Sequence, residues 1–443
     1  MGEIKALADD LYQYIPTAHV VTDTQILRAH AVDGIIPGAI VTPTTTAEAT
    51  QVVNIISQHN LTILPWGRGS EINIGGQPNQ IDILLKTSSL QRLLEHEAPD
   101  LTCRVEAGIT LAQLQAKLAT KGQQLALDPP NAEQTTIGGL IATNASGPKR
   151  LRYGTARDLV IGLRVIQASG EIASSGGRVV KNVAGYDLNK LYIGSLGTLG
   201  VIVEANFKLH PLPEQEHTLL LTFSTIEDAV QTVIAITRSH LTPSALELVY
   251  RQSTETSAAF DAQLPKHGYT LAINYEGSSA TIKRQVEETN RLAGQKSALI
   301  RNDLQNTEQE QFWNDVRNHM RGTLTCKVSI LVSHMVSYIH MLEQICSRHG
   351  LEAGFVAHVG NGILYIELSP FHEIPQVVAA IEALRINAQQ ARGSLVVERC
   401  PPHLKQHINI WGEPQANFQL MRRLKEQFDP KGVFVSGRFL GGL

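Results

Sequence analysis

Cysteine is scarce in this chain. Only four residues of 443 are cysteine, at 103, 326, 346 and 400, and no two stand two or three apart. That excludes the close spacing by which thiolates hold zinc or iron–sulfur clusters. Electrons moving beyond an organic cofactor would have to leave through another chain. Long apolar runs are missing too, and none approaches the ~20 residues of a membrane span. Charge is nearly balanced: 38 Lys and Arg against 41 Asp and Glu give a net −3. That gives no electrostatic ground for nucleic-acid binding. The opening Met1-Gly2-Glu3-Ile4-Lys5-Ala6 lacks the apolar core of a signal peptide. It also puts Ala6 where a myristoylation signal needs Ser or Thr. These absences point to a soluble cytoplasmic protein. No Gly-x-Gly-x-x-Gly opens a long helix, so the dinucleotide fingerprint of the Rossmann fold is excluded. No repeat of fixed period and no low-complexity segment is visible.

Hydrophobic residues make up 43% of the chain. That fills two or three cores at ~150 residues per domain. Glycine is unevenly spread: 12 of the 35 lie between residues 138 and 200. Residues 145–190 also carry 8 Lys and Arg against 3 Asp and Glu. Glycine permits positive φ and close approach of a backbone to a ligand. Successive N–H groups in such turns form concave anion sites. A glycine-rich, locally cationic stretch implies a phosphate-bearing ligand.

The run Gly176-Gly177-Arg178-Val179-Val180-Lys181-Asn182-Val183-Ala184-Gly185-Tyr186-Asp187 follows Gly147-Pro148-Lys149-Arg150 in this stretch. Together they resemble the flavin-binding half of the vanillyl-alcohol oxidase/p-cresol methylhydroxylase superfamily. Within it they are similar to the E subunits of bacterial glycolate oxidase (glycolate dehydrogenase). The likeness runs from about residue 33 to the C-terminus. It implies an α+β protein: a two-lobed FAD-binding domain of the p-cresol methylhydroxylase (PCMH) type, plus an α+β cap domain with an antiparallel sheet.

The resemblance also implies which residues hold FAD. The loop Pro65-Trp66-Gly67-Arg68-Gly69-Ser70 matches one whose amides wrap the pyrophosphate; alone it reads as a surface turn, and the glycine-rich stretch that follows turns the reading toward the ligand. Pro129 and Thr136-Ile137-Gly138-Gly139 lie in the segment set against the isoalloxazine and pyrophosphate. Asn144, Gly147, Lys181, Asn182, Gly185, Tyr186 and Asp187 belong to the glycine-rich stretch itself. Gly197, Gly200, Val201 and Ile202 fall toward the adenine end. Arg438 keeps the basic residue of the superfamily's C-terminal return, while the Asn-Pro before it is missing. No His lies between residues 60 and 80, where one covalent attachment would fall. FAD is therefore expected to be non-covalent.

Residues 1–32 read as a lead-in, 33–213 as the FAD-binding domain, 214–413 as the cap and 414–443 as a segment returning to the first domain. The boundary is placed at His210-Pro211-Leu212-Pro213-Glu214, where two prolines break the periodicity. Thr45 or Thr46 caps a helix ending near residue 58, with Ala49, Val52, Val53 and Ile56 on its inner face. Residues 110–120 form a helix, 159–168 and 201–209 form strands, and 90–95 read as a turn of helix. Residues 416–428 form a basic amphipathic helix.

Oxidising a 2-hydroxy acid needs a cation for the carboxylate, a base for the hydroxyl proton, and a flavin facing the Cα hydrogen. Trp313-Asn314-Asp315-Val316-Arg317 resembles the family's Trp-x-x-x-Arg, whose Arg grips carboxylate. Arg317 reads equally as the partner of a nearby acid. His358-Val359-Gly360-Asn361-Gly362 resembles the catalytic His-x-Gly-Asp-Gly-Asn, with Asn361 for Asp and Ile363 for the last Asn. His358 is thus a candidate base or a packed core histidine. At Glu398-Arg399-Cys400 the catalytic relatives have Glu-His-Gly, which in some of them helps bind a divalent metal. An always-protonated guanidinium cannot ligate one, so no metal is expected. Three functions stay open. One is an FAD-binding subunit of a glycolate dehydrogenase, working beside a D-type flavoprotein and an iron–sulfur subunit. Another is a stand-alone dehydrogenase of a related 2-hydroxy acid such as D-lactate. The last is a scaffold that has lost its flavin.

Overall fold

Helix starts follow the capping residues. In the computed structural model, residues 10–16, 19–177, 186–250, 264, 268–294, 298–319, 322–370 and 373–443 are described. The Thr45 hydroxyl accepts from Glu48 N–H at the head of helix Thr46–Gln58, at 3.1 Å. Thr110 and Gln113 satisfy each other's backbone N–H groups in a capping box before helix Leu111–Ala119. Thr225 caps helix Ile226–Thr237. Each hydroxyl satisfies an N–H that the helix itself leaves open.

The chain divides into two compact units. The first comprises Met1–Ser146, Thr155–Leu212 and Glu413–Leu443. It holds a four-stranded sheet in the order Val20–Val21, Ala39–Val41, Ile83–Lys86, Ile63–Trp66. Helix Thr46–Gln58 buries Ala49, Val52, Val53 and Ile56 against this sheet. The unit's second lobe is a five-stranded antiparallel sheet in the order Leu93–Glu97, Thr102–Glu106, Val201–Lys208, Val160–Ile166, Ile172–Gly176. Residues 93–95, expected within a helical turn, belong to its edge strand, Leu93–Glu97. Pairing with Thr102–Glu106 satisfies their backbone, which outweighs the helix preference of Leu and Glu. The C-terminal segment closes the unit: Ile63 N–H donates to Val433 O at 2.7 Å and Val435 N–H to Ile63 O at 3.1 Å.

The second unit comprises Gly147–Gly154 and Pro213–Gly412. Residues 147–154, read from sequence as part of the glycine-rich stretch, therefore fold with the second unit. The cause is ionic: Lys149 Nζ lies 2.9 Å from Glu216 Oε1 and 2.7 Å from Glu276 Oε1. The Tyr153 hydroxyl donates to Glu276 Oε2 at 2.5 Å. The unit's sheet has eight antiparallel strands. Their order is Ile300–Leu304, Gln215–Phe223, Tyr269–Gly277, Ala245–Tyr250, Glu352–His358, Ile363–Ser369, Thr325–Ser329, Ser394–Arg399. Read in chain order, this is a β-α-β-β-α-β motif made twice, each copy with strand order 4-1-3-2 and joined through its second strand. The repeat absent from the sequence is present in the topology. Four helices, Ile226–Thr237, Ser279–Gly294, Met335–His349 and Ile374–Gln390, build the core on one face. Phe312, Trp313 and Val316 of helix Asn306–His319 pack on the other.

Candidate active site and cofactor cleft

The two glycine turns of the first unit meet. A Cβ added at Gly67 would lie 2.1 Å from Thr136 Oγ1, so only glycine permits this approach. Ser70 Oγ stands 3.4 Å from Thr135 Oγ1. A third turn joins them: Gly194 N–H donates to Ile141 O at 2.9 Å and Leu196 N–H to Ala142 O at 2.8 Å. These bonds satisfy the last carbonyls of helix Ile137–Thr143, which Asn144 ends at φ 51°. A cleft opens where the turns converge. It is lined by Pro65, Trp66, Gly67, Thr87, Gly138, Gly139, Ala142, Leu196, Gly197, Gly200, Val201 and Ile202.

The amides of this cleft differ in availability. Ile137 N–H donates to Ile109 O at 2.9 Å and Gly138 N–H to Ala107 O at 2.7 Å. Gly139 N–H is taken by Thr136 Oγ1 at 3.2 Å. By contrast, the N–H groups of Gly67, Arg68 and Gly69 find no acceptor among the described residues. The open amides therefore belong to the first turn, while those of Ile137, Gly138 and Gly139 are already bonded. The missing Cβ of Gly138 faces Ala107, 3.1 Å away, whereas one at Gly139 would meet only Thr136 Oγ1 and otherwise open space.

In the second unit, five adjacent strands put polar side chains in one row. Glu247 is the cross-strand partner of His358, and Lys327 that of Tyr365. Directly opposed residues share a face. His358 Nδ1 lies 2.8 Å from both oxygens of Glu247, and both residues are 1% exposed. A carboxylate only accepts, so Nδ1 carries the proton and Nε2 presents its lone pair. That Nε2 is buried and has no partner among the described residues. The ring stands edge-on to Tyr365 at 5.3 Å. Lys327 Nζ lies 2.8 Å from Glu398 Oε1 and 5.3 Å from the centre of the Tyr365 ring. Burial holds the His358 pKa well below its ordinary value, helped by the charges of Arg150 and Lys327. Burial opposes the Lys327 charge, but Glu398 and Tyr365 outweigh it and raise its pKa.

Residues 37–176 match the family described as "FAD binding domain" and residues 212–438 match "FAD linked oxidases, C-terminal domain". The chain belongs to the FAD-linked oxidases. This FAD-linked oxidase is 27% identical over 416 residues to glycolate oxidase subunit GlcD of Bacillus subtilis, covering 91% of this chain and 88% of that one. It is also 27% identical to D-lactate dehydrogenase of Archaeoglobus fulgidus, covering 90% of each. D-2-hydroxyglutarate dehydrogenase of Stutzerimonas stutzeri is 23% identical over 98% of each. A crystal structure of p-cresol methylhydroxylase with substrate bound shares the fold, with a TM-score of 0.77 at 16% identity, covering 99% of this chain and 97% of that one. The expected PCMH-type α+β fold is thus the observed one. FAD fits the first unit: three open amides suit a pyrophosphate, and Gly139 leaves room beside them.

The FAD-linked oxidase brings together only part of the residues expected around FAD. Trp66, Gly67, Gly138, Gly139, Gly197, Gly200, Val201 and Ile202 line the cleft, with Pro65, Thr87, Ala142 and Leu196 added. Arg68, Gly69 and Ser70 continue the first turn, and Thr136 touches Gly67. Ile137 is wholly buried in the hydrophobic core, Pro129 is buried, and Asn144 is the helix cap. Gly147 belongs to the second unit. Tyr186 is 92% exposed and Asp187 pairs with Lys190 at 3.6 Å, so neither lines the cleft. Lys181, Asn182 and Gly185 lie outside the described residues. Arg438 is a brace: its Nη2 donates to Ile72 O and Ile74 O at 2.7 Å each, holding the end of the first turn. Burial lowers its pKa to about 10, against the pull of Asp33.

Of the two substrate candidates, His358 sits in the polar row. Arg317 is half-buried on helix Asn306–His319, and the charges that reach His358 come from Arg150 and Lys327 instead. Trp313, read with Arg317 as a motif, is a core residue whose Nε1 donates to Thr218 Oγ1 at 2.8 Å. Sequence reasoning missed Glu247, Tyr365, Lys327 and Arg150. A buried-strand pattern carrying one acid, Ala245-Leu246-Glu247-Leu248-Val249, was the available signal for Glu247.

Proposed function

We propose that this FAD-linked oxidase is an FAD-binding subunit of a glycolate dehydrogenase complex, oxidising glycolate to glyoxylate. The observation that carries this reading is His358: a buried imidazole, its Nδ1 fixed by Glu247 and its Nε2 left as an acceptor. A 2-hydroxy acid supplies the matching groups, a hydroxyl to donate to Nε2 and a carboxylate for nearby cations. The hydroxyl proton passes to Nε2 as the carbonyl forms. FAD, held by the first-unit residues named above, would supply the hydride acceptor when bound. Glu247 stabilises the resulting imidazolium, the role an acid plays behind a catalytic histidine.

Electrons then pass to partner chains, which we assign to a D-type flavoprotein and an iron–sulfur subunit. The chain's own cysteines suit no relay. All four are buried, and burial pushes the Cys103, Cys326 and Cys346 thiols to about 12. FAD is read as non-covalent. The nearest His beyond the loop, His96, has its Nε2 2.8 Å from Gln123 Oε1. No metal is assigned to the row, because Lys327 neutralises Glu398 and Arg399 cannot ligate. The second reading, a stand-alone dehydrogenase of D-lactate or D-2-hydroxyglutarate, is favoured by the near full-length likeness to such enzymes. A turnover assay of the lone purified chain with glycolate, D-lactate and D-2-hydroxyglutarate and a dye acceptor separates the two. Turnover matching that of the native complex would remove the subunit reading. Acid precipitation that leaves the flavin on the protein would refute non-covalent binding.

A further inference from the structure

The eight-stranded sheet of the second unit has two outer strands, and each is the fourth strand of one copy of the repeated motif. The fold covers one of them: Val397 N–H, in strand Ser394–Arg399, donates to Ile410 O at 2.9 Å. The equivalent strand of the other copy, Ile300–Leu304, pairs with Gln215–Phe223 on one side. No backbone bond reaches its other side among the described residues. Such an edge is a row of N–H and C=O groups ready to pair with another strand. Leu299 and Ile300 add an apolar rim, 63% and 43% exposed.

Charged side chains usually blunt an open edge. Here their order suits one particular partner. Set antiparallel against a second copy of itself and centred on Asn302, Ile300-Arg301-Asn302-Asp303-Leu304 puts Ile300 opposite Leu304 and Arg301 opposite Asp303. A parallel pairing in register would put Arg301 on Arg301 and Asp303 on Asp303. Antiparallel pairings centred on either charged residue would set that charge against itself. Like charges directly opposite destabilise a strand pair, so the strand favours one register. Both charged side chains are exposed and stand on one face, with Arg301 Nη2 3.5 Å from Asp303 Oδ2. His217 Nε2 lies 2.8 Å from the other oxygen of Asp303. That leaves Oδ2 with a long contact that a facing guanidinium can replace.

We propose that Ile300–Leu304 is a homodimerisation edge: two copies of this chain pair these strands antiparallel about a two-fold axis at Asn302, joining their eight-stranded sheets into one. A two-fold interface is self-complementary, with residue i meeting j and j meeting i. Arg301 and Asp303 meet that condition. A five-residue strand makes a small interface beside the ~800 Å² per partner of a standard complex, so the dimer dissociates readily, with Kd on the order of micromolar. Any larger assembly built on this chain then holds it in pairs, whatever substrate it takes.

The test is sedimentation velocity of the full chain with FAD bound, from about 0.1 to about 100 µM. Wild type should pass from monomer to dimer across this range, and amide exchange of residues 300–304 should slow as the dimer forms. Arg301→Asp and Asp303→Arg each set like charges opposite one another and should weaken the dimer at least about tenfold, with Tm near that of wild type. Mixing the two variants restores opposite charges at every facing position, so the mixture should dimerise at least as tightly as wild type. Wild type that stays monomeric at about 100 µM, a dimer that both single variants leave intact, or a mixture that stays monomeric would overturn the proposal. So would a native complex that holds one copy of this chain, or one in which a different chain protects residues 300–304. If Asp303→Arg loses its fold along with the contact to His217, Arg301→Asp decides: a dimer of wild-type strength would count against the pairing.

Discussion

Replacing Lys425 by Met tests how the first unit keeps its cleft in shape. Lys425 sits in a helix that looks basic and solvent-facing, yet it is 8% exposed. Its ammonium reaches Asp429 Oδ2 at 2.6 Å, Thr198 O at 2.8 Å and Phe434 O at 3.0 Å. Asp429 also accepts from Val433 N–H at 2.7 Å and Phe434 N–H at 2.8 Å. One ion pair thus ties helix Phe418–Phe428, the C-terminal segment and the turn carrying Gly197. Met keeps the length of the stem and removes the charge. It leaves a buried carboxylate without its cation and two carbonyls without a donor. Removing one partner of a buried pair costs about 3–5 kcal/mol, a large share of the ~5–15 kcal/mol that holds a domain together. Urea unfolding followed by flavin fluorescence and far-UV circular dichroism measures it. Because Thr198 adjoins Gly197 in the cleft lining, flavin release should come earliest in the titration. Adding Asp429→Asn should recover part of the loss, since the stranded charge is then gone while one of the two N–H acceptors goes with it. A Lys425→Met protein within about 0.5 kcal/mol of wild type, the range of an ordinary surface change, would refute the reasoning.

Three further outcomes are expected. Gly139→Leu should weaken FAD binding at least tenfold with the fold retained, because its side chain extends into the cleft; Gly138→Val should instead lower Tm, because its Cβ meets Ala107. Full flavin occupancy in Gly139→Leu would displace FAD from this cleft. His358, with a lowered pKa when folded, should make the protein less stable in acid. Below about pH 6.5 the unfolded chain binds a proton there that the folded chain does not, so stability falls by about 1.4 kcal/mol per pH unit relative to His358→Gln. Identical slopes in the two proteins would contradict the buried neutral histidine. Dialysis against EDTA should leave glycolate turnover unchanged, and a loss restored by zinc or manganese would bring a metal back into the row.

What the sequence disclosed was local. Gly67 and Gly197 announced turns, and Thr45 announced a helix start, because each effect acts over a few residues. The paired lobes and the antiparallel second unit followed from a family likeness rather than from periodicity. What stayed hidden was set by register. Glu247 and His358 are 111 residues apart and meet only because two second strands of a repeated motif lie side by side. Lys149 and Arg150 were read as part of a phosphate-binding stretch because their neighbours are glycines. The partners of Lys149, Glu216 and Glu276, lie in strands 67 or more residues further on. Arg438 and Lys425 carried charges that suggest a surface or a ligand, yet they hold carbonyl groups inside the first unit. The strand Leu93–Glu97 has few β-branched residues, so only its pairing partner reveals it.

A histidine held neutral by burial and two cations looks like a poor base, yet the same charges supply the answer. The row carries two carboxylates, Glu247 and Glu398, and the cation Lys327, and the charge of Arg150 also bears on His358. A substrate carboxylate arriving near His358 offsets the charges that disfavour the imidazolium. A unit charge at ~4–6 Å in a medium of effective dielectric ~20 interacts by about 3–4 kcal/mol, or about two to three pK units. The proton affinity of His358 therefore rises on binding, when the hydroxyl is in place to be deprotonated. Linkage makes the effect reciprocal: if anion binding favours the proton, the proton favours the anion. Binding of oxalate, a non-oxidisable probe, should then draw protons from solution, measurable as a dependence of its calorimetric heat on the buffer's ionisation enthalpy near pH 6. A heat independent of buffer would mean that the carboxylate lands too far from His358 to matter.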